Sequence, residues 1–330
     1  MKLAVIGAGA MGRNHVRVLR ELPGVEVAAV ADLDPAVARA VAGTAGCEPY
    51  TDHRDLLQAV RPDAVTVAVP THAHHATVMD ALAAGCHVLV EKPIAGNLEE
   101  AAEMVRCAEA AGRVLMVGHI ERYNPAVIDL KRRLDAGDLG RPFQIHARRL
   151  GPFPARVRDV GVVVDLATHD LDIMRYLSGS EAVRAYAETK CELHTSNEDV
   201  VNGLIRFGND VVGVLEINWL TPTKIRELYV TGERGMFRAD YLTQDLYFFE
   251  NAEVSGVPYE PLSVLRGVSE GAMIRFALQR VEPLRAELEA FIAAARGEES
   301  TVVSGRDGMA ALKLALSLIK SADSGLPVRL

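Results

Sequence analysis

A regular alternation of short apolar runs with helical patterns fills the first third of the chain and constrains its fold more than any other feature. The runs are rich in β-branched residues and continuously apolar, as strands covered on both faces must be. They lie at Lys2–Ile6, Val25–Ala31, Ala64–Val69, His87–Val90 and Val114–Val117. Helical patterns separate them, around residues 10–20, 35–43, 53–60, 73–84 and 98–111. The alternation predicts an α/β domain with a doubly wound parallel sheet and right-handed crossovers.

The pattern changes after about residue 120, where longer strand-like runs dominate. They lie at Phe143–Leu150, Val183–Leu193, Val200–Phe207, Val211–Trp219, Ile225–Thr231 and Leu246–Glu250. Hairpin signals at residues 207–210 and 231–235 predict a mostly antiparallel sheet. Helical patterns cover Leu166–Leu177 and residues 282–296 and 306–321, whereas 251–275 shows no clear pattern. We predict two domains, residues 1–121 and an α+β domain over 122–330.

Composition narrows the class of protein. A chain of 330 residues exceeds what one small core serves, and 49% hydrophobic residues leave ample surface to bury. The net charge of −8 argues against a nucleic-acid partner, because binding phosphates requires a positive face. The four cysteines lack metal-site or disulfide spacing, and no run approaches the roughly 20 apolar residues of a membrane span. We expect a soluble cytoplasmic protein.

A glycine-rich turn follows the first strand-like run and opens the first helix. Gly7 permits a tight turn, Gly9 allows the backbone to approach a pyrophosphate, and Gly12 allows close packing of helix and strand. Ala10 and Met11 begin the helix, whose amino end favours phosphates. The spacing G-x-G-x-x-G is weak alone, but this position between strand and helix predicts a dinucleotide site.

Asp32 stands at the end of the second strand-like run, twenty residues beyond Gly12. A carboxylate there accepts hydrogen bonds from the adenosine ribose hydroxyls and repels a 2′-phosphate. We therefore predict NAD rather than NADP as the cofactor. The alternative is that Asp32 caps the next helix, although Asp34, directly before Pro35, is the better capping residue.

Two further strand ends are expected to face the cofactor, because ligands bind at the carboxyl ends of parallel strands. The predicted contacts are Pro70, Thr71, His72 and His75 after one strand, and Glu91 and Lys92 after the next. The histidines of residues 72–75 also resemble a metal-binding tract. With no carboxylate or thiolate at ligand spacing, we interpret that stretch as a helix start and predict no metal.

Lys92 is the predicted proton-transferring group, and Pro93 restricts its backbone to an extended conformation. Oxidation of an alcohol requires a group that takes the hydroxyl proton as hydride leaves. A free lysine, with a pKa of about 10.4, is too protonated for this role near neutrality. Burial and a positively charged nicotinamide both disfavour the ammonium form. The alternative is a surface ion pair between Glu91 and Lys92.

A partner for Lys92 is predicted in the second domain. Helical spacing places Asp165, His169 and Asp172 on one face. A lone histidine is more often structural, but one flanked by carboxylates at these offsets is a better acid/base candidate. We predict that His169 shares the proton transfer with Lys92, that Asp165 orients the imidazole or binds a substrate hydroxyl, and that all three contact the substrate.

Together these motifs resemble the Gfo/Idh/MocA oxidoreductase family over the whole chain. The glycine turn is common to many families, whereas Glu91–Lys92–Pro93 followed by Asp165 and His169 is specific. The resemblance implies a Rossmann domain, then a domain with an open-faced sheet that forms homodimer or homotetramer contacts. It also implies that Arg122 lies near the cofactor. Residues 159–162 depart from the Gly-Gly pair of many members.

Within the family, residues 148–161 resemble nucleotide-sugar enzymes, especially UDP-N-acetylglucosamine 3-dehydrogenases. Arg148, Arg149, Arg156 and Arg158 fall within eleven residues of an acidic chain. Guanidinium groups bind phosphate oxygens bidentately, so we predict that Arg149, Arg156 and Arg158 hold a substrate diphosphate. The alternative is that these arginines line the solvent face of a strand.

The sequence thus predicts NAD-dependent oxidation of a sugar hydroxyl, specifically the 3-hydroxyl of UDP-N-acetylglucosamine or a related nucleotide sugar. A free inositol or sugar dehydrogenase of the same family is the second hypothesis, and it would not need the arginines. A cofactor-bound sensor on the same fold is the third, since fold does not fix function.

Overall fold

The computed structural model describes residues 1–153, 161–193, 197–252 and 269–330. These residues form two compact units. The first comprises Met1–Tyr123 with Val281–Lys313, and the second comprises Asn124–Arg280 with Leu314–Leu330. The predicted division at residues 121 and 122 differs from this one mainly because the chain returns to the first unit after residue 280. Leu284, Leu288 and Phe291 cause the return, since they are buried in the core of the first unit.

The first unit contains a six-stranded parallel sheet, as predicted. Its strands run in the spatial order β3-β2-β1-β4-β5-β6. They are β1 (Lys2–Ile6), β2 (Glu26–Ala31), β3 (Glu48–Tyr50), β4 (Ala64–Val67), β5 (His87–Glu91) and β6 (Leu115–Gly118). The order reverses between β1 and β4, and ligands of open α/β sheets bind at such a switch point. The three-residue β3 was not predicted, because it is too short and too exposed to show a pattern.

Helices connect these strands and cover the sheet. They are α1 (Ala10–Leu19), α2 (Pro35–Ala45), α3 (His53–Val60), α4 (His74–Ala83), α5 (Leu98–Ala111) and α8 (Pro283–Ala295). Short 3-10 turns cover Thr71–Ala73 and Ile120–Tyr123. Asp34 caps α2 by accepting hydrogen bonds from the backbone of Ala36 and Val37. Since Asp34 fills the capping position, Asp32 remains available for another role.

The second unit contains a nine-stranded sheet in the order β14-β13-β12-β11-β7-β10-β9-β8-β15. The strands are β7 (Pro142–Pro152), β8 (Ala182–Lys190), β9 (Val200–Phe207), β10 (Val212–Asn218), β11 (Leu220–Gly232), β12 (Gly235–Asp240), β13 (Asp245–Ala252), β14 (Ser269–Arg275) and β15 (Val328–Arg329). Only the pair formed by β7 and β10 is parallel among the described pairs of this sheet. The mostly antiparallel sheet is confirmed, and β12, β14 and β15 add strands that the sequence did not reveal.

Alternate side chains of the second sheet are buried with helices α6 (Pro125–Asp135) and α7 (Thr168–Ser178). The long helix α9 (Gly305–Ser324) begins in the first unit and ends in the second, where Leu314 and Leu318 join the core. The opposite face of the sheet carries partly exposed side chains, such as His146 and Tyr229. Across the described ranges, each helix is too short or too polar to cross a bilayer.

Candidate active site

The glycine turn after β1 has the geometry that a dinucleotide requires. Gly7 adopts φ +91°, and a Cβ added at Gly12 would lie 1.8 Å from the Gly7 carbonyl oxygen. Both positions therefore exclude side chains. At Gly9 a Cβ would meet no described heavy atom within 4 Å, so this face is open. Gly9 caps the start of α1 and no described side chain caps it, which leaves the amino end of the helix suited to a phosphate.

Asp32 is held rigidly beside this turn. Its Oδ2 accepts a hydrogen bond from the backbone N–H of Ala8 at 2.7 Å, and its Oδ1 accepts one from the N–H of Asp34 at 2.9 Å. The neighbouring Leu33 is 91% exposed, an unusual position for a large apolar side chain. A fixed carboxylate beside an apolar surface suits a ribose joined to an adenine ring.

A cavity of about 590 Å³ lies at the carboxyl ends of the first three central strands. We call it the strand-end cavity, and its lining includes Gly7, Gly9, Asp32, His53, Pro70 and His72. Five of these six residues were predicted to bind the cofactor, and the structure brings them together within the first unit. Its largely apolar walls with a few polar groups fit a dinucleotide.

The end of β5 places Lys92 next to a buried carboxyl group. The Oε1 atom of Glu91 lies 3.0 Å from Nε2 of the fully buried His15. Burial opposes ionisation of Glu91, but the hydrogen bond from His15 and the charge of Lys92 bring its pKa below the ordinary value. Because Glu91 is buried and β5 lies between β4 and β6, the alternative of a surface ion pair with Lys92 does not hold. Lys92 itself is half-buried, and its peptide bond with Pro93 is cis.

In the second unit, a π-helical turn at Val163–Ala167 precedes α7. It contains Asp165, and His169 lies in the first turn of α7; both side chains are half-buried. The predicted helix had α-helical spacing here, so the wider turn is a correction. Such turns occur frequently at functional sites. Asp172 differs from the prediction, because it is fully buried and does not share the partly exposed face.

Comparison with known proteins decides the family. Residues 1–119 match the model described as the oxidoreductase family with an NAD-binding Rossmann fold, and residues 127–238 match the GFO/IDH/MocA C-terminal domain. The chain belongs to the GFO/IDH/MocA family. It is accordingly an NAD-dependent oxidoreductase that acts on CH–OH groups, as predicted.

Two relatives of this family member differ in substrate but not in similarity. Inositol 2-dehydrogenase 1 of Saccharopolyspora erythraea is 31% identical, over 99% of this chain and 96% of the relative. UDP-N-acetylglucosamine 3-dehydrogenase of Acidithiobacillus ferrooxidans is 30% identical, over 96% of both chains. A crystal structure of the latter enzyme superposes with a TM-score of 0.85 and 28% identity, covering 98% of each chain. Overall identity therefore does not distinguish the two substrate classes.

Two residues predicted to bind the cofactor of this family member are engaged elsewhere in the first unit. His75 Nε2 lies 3.0 Å from Glu103 on α5, and its side chain does not line the strand-end cavity. Arg122 forms an ion pair with Asp307 of α9 at 3.3 Å. Ala10, Met11 and Thr71 belong to the turns beside the cavity rather than to its lining.

The predicted diphosphate-binding arginines divide into two groups. Arg149 is only 4% exposed, and its Nε and Nη2 donate to the two oxygens of the fully buried Asp170 at 2.5 and 3.2 Å. Arg148 forms ion pairs with Glu216 and Glu227 on neighbouring strands. The predicted substrate role of Arg149 is therefore corrected to a structural one. Arg156 and Arg158 lie outside the described residues.

Sequence reasoning missed two histidines of the first unit. His53 lines the strand-end cavity, where Asp80 holds its Nε2 at 2.9 Å. His74 is 1% exposed, whereas the predicted contacts His72 and His75 flank it. The buried Val78 and Ala81 follow His74 at helical spacing, and this periodicity was the available signal. Within the described ranges, no three His, Cys, Asp or Glu side chains form a metal site.

Proposed function

We propose that this dehydrogenase oxidises a ring hydroxyl of a nucleotide sugar, specifically the 3-hydroxyl of UDP-N-acetylglucosamine or a close relative. The observation that carries the proposal is the run of arginines at residues 148–158 in a chain of net charge −8. Because Arg148 and Arg149 are committed to ion pairs, diphosphate binding is assigned to Arg156 and Arg158. Similarity to the UDP-N-acetylglucosamine enzyme over 96% of the chain supports the same substrate.

Lys92, His169 and Asp165 are the proposed catalytic residues. When bound, NAD supplies the acceptor for the hydride that leaves the substrate carbon. Lys92, as the neutral amine, takes the hydroxyl proton while the C–H bond breaks, so that the alcohol becomes a ketone. His169 receives that proton or steadies the alkoxide by hydrogen bonding. Asp165 orients the imidazole of His169 or binds a neighbouring hydroxyl.

NAD is proposed to lie along the strand-end cavity. The pyrophosphate would contact the open backbone at Gly9, and the ribose hydroxyls would donate to Asp32. Pro70 and His72 would flank the cofactor farther along the sheet. These residues bind and orient the cofactor, whereas Lys92 at the end of β5 would contact the substrate.

Oxidation of a free inositol is the second candidate. It is favoured by the 31% identity to an inositol 2-dehydrogenase over 99% of this chain and by the burial of Arg149. An inositol carries no phosphate, so its turnover would not require Arg156 or Arg158. The third hypothesis, a sensor that binds NAD without turnover, predicts no reaction with either substrate.

Substrate assays with matched variants distinguish these proposals. Purified protein with NAD is offered UDP-N-acetylglucosamine, inositol and hexoses while absorbance at 340 nm is recorded. The double variant Arg156→Ala/Arg158→Ala is expected to raise the KM for the nucleotide sugar by about tenfold to a hundredfold, as loss of charged hydrogen bonds implies. Arg206→Ala, at an exposed ion pair with Asp210, serves as the control and should leave the KM unchanged. Turnover of inositol alone would refute the nucleotide-sugar assignment.

The partly exposed face of the second sheet is the proposed surface for assembly into a homodimer or homotetramer. A cross-strand row of His146, Tyr229, Arg238 and Tyr247 occupies it, with ring and guanidinium contacts between neighbours. Such aromatic and arginine side chains are enriched at interfaces. Light scattering of Tyr229→Glu should show smaller particles than the wild type. The cytoplasmic location stays a prediction of the sequence.

A further inference from the structure

His74 connects the two strand-end turns that the proposed function uses. Its Nδ1 atom lies 2.8 Å from the carbonyl oxygen of Pro93, and its Nε2 atom lies 3.0 Å from the carbonyl oxygen of Val69. Val69 lines the strand-end cavity, and Pro93 directly follows Lys92. One buried ring therefore contacts the backbone on both sides of the expected nicotinamide position.

Both contacts of His74 require an N–H on the ring, because carbonyl oxygens only accept hydrogen bonds. A neutral imidazole has one N–H, so one of its nitrogens would direct a lone pair at an oxygen. The imidazolium form donates from both nitrogens and satisfies both carbonyls. The geometry around His74 is therefore that of the protonated ring.

We propose that His74 is a positioning residue, whose doubly protonated ring holds the cofactor-lining turn at Val69–Pro70 in register with the turn that presents Lys92. This inference rests on the proposed role of Lys92, but its contacts belong to the first unit alone. Each nitrogen has a separate task. Nε2 orders the wall of the strand-end cavity, and Nδ1 orders the backbone beside Lys92.

The charge on His74 is balanced within the first unit. Burial lowers the pKa of His74 from its ordinary value, while the Pro93 and Val69 carbonyls and the carboxylate of Glu91 oppose that effect. Glu91 is the charged group that acts on the ring. As pH rises through the lowered pKa, the ring loses one N–H and one of its two contacts. NAD affinity of the wild type should therefore weaken as pH rises from about 5 toward the ordinary histidine value of about 6.5.

Two amide variants separate the two contacts. The amide nitrogen of His74→Asn occupies the position of Nδ1, and that of His74→Gln occupies the position of Nε2. His74→Asn should keep the Lys92 turn but weaken NAD binding about fivefold to tenfold, the effect of one buried hydrogen bond. His74→Gln should bind NAD nearly as the wild type but lower kcat by a similar factor. Both variants should lose the pH dependence of NAD affinity between pH 5 and 7.

His87→Gln provides the matched control, because His87 lies at the opposite end of β5 and bonds the backbone of Val114. It should change neither NAD affinity nor its pH dependence. NAD binding is measured by calorimetry and needs no substrate, so failure of the proposed substrate would not affect it. Equal losses of affinity and kcat in both amide variants would overturn the division of tasks.

A spectroscopic test keeps the inference falsifiable should a variant fail to fold. In the wild type, nitrogen NMR should show both ring nitrogens of His74 protonated at low pH. The amide signals of Val69 and Ile94, in the two turns, should then shift with the same midpoint as the ring. Separate midpoints, or a ring that never carries both protons, would refute the coupling.

Discussion

Glu287 is a buried carboxyl group in the middle of α8. Its side chain is fully buried, and neither of its oxygens has a hydrogen-bond partner within the described part of the chain. Burial, together with the charge of Glu91, raises the pKa of Glu287 well above its ordinary value. The group is therefore a neutral acid in the folded protein, since an unpaired buried charge is strongly unfavourable.

Replacing Glu287 by glutamine should make stability less sensitive to pH. A raised folded-state pKa gives stability that is fully present below the unfolded value and is lost as pH rises toward the folded value. The loss is about 1.4 kcal/mol per pH unit within that window. Glu287→Gln mimics the neutral acid, so urea unfolding should show its stability relative to the wild type increasing from pH 5 to pH 8. A difference that does not change with pH would contradict a protonated Glu287.

Lys92 provides the sharpest test of the catalytic assignment. Lys92→Ala should lower kcat by about a hundredfold to ten-thousandfold, the usual contribution of a positioned acid or base. NAD affinity should change little, because Lys92 does not line the strand-end cavity. Lys320→Ala, on the exposed face of α9, is the control. Unchanged turnover with NAD still bound would eliminate Lys92 as the proton-transferring group.

At the scale of elements, the β1–α1 turn separates folding from binding. A Cβ at Gly12 would lie 1.8 Å from a backbone oxygen, whereas one at Gly9 would meet open space. Gly12→Ala should therefore destabilise the protein by several kcal/mol, in the range of other severe backbone clashes. Gly9→Ala should fold normally and lose NAD affinity, because the added methyl group occupies the pyrophosphate position. Thermal unfolding and calorimetry measure the two effects, and equal losses of stability would contradict the contrast.

The pair formed by Arg149 and Asp170 joins β7 to α7. The guanidinium lies 5.4 Å from the ring of Tyr241, which adds a cation–π contact. Arg149→Ala should destabilise the protein by about 3–5 kcal/mol, because it leaves a buried carboxylate without its partner. Folded Arg149→Ala should keep the KM of the wild type for a nucleotide sugar. An increased KM without loss of stability would return Arg149 to the substrate site.

At the scale of the whole molecule, sequence periodicity predicted the local elements but not the contacts between distant segments. The five longer parallel strands were predicted because each is apolar throughout, and the positions of Gly7 and Asp32 followed from them. The π turn at Asp165 and the exact histidine of residues 72–75 were not predicted. Both depend on backbone geometry that one-dimensional spacing does not determine.

Arg149 and α8 illustrate a second limit of the sequence. An arginine on a strand is ordinarily exposed, and only Asp170, twenty-one positions later, makes its burial acceptable. Likewise, the pattern of residues 282–296 predicts a helix but does not indicate which core it joins. Packing partners far along the chain therefore account for most of what the sequence left undetermined.

The return of α8 to the first unit has a consequence for synthesis. A ribosome that has released residues 1–123 has produced all six strands of the first sheet, yet the apolar side chains of Val18, Leu19 and Leu22 still lack their cover. That cover is Leu284, Leu288 and Phe291, made more than halfway later in translation. We expect the amino-terminal unit to be the last to finish folding, with chaperones shielding the uncovered helix meanwhile.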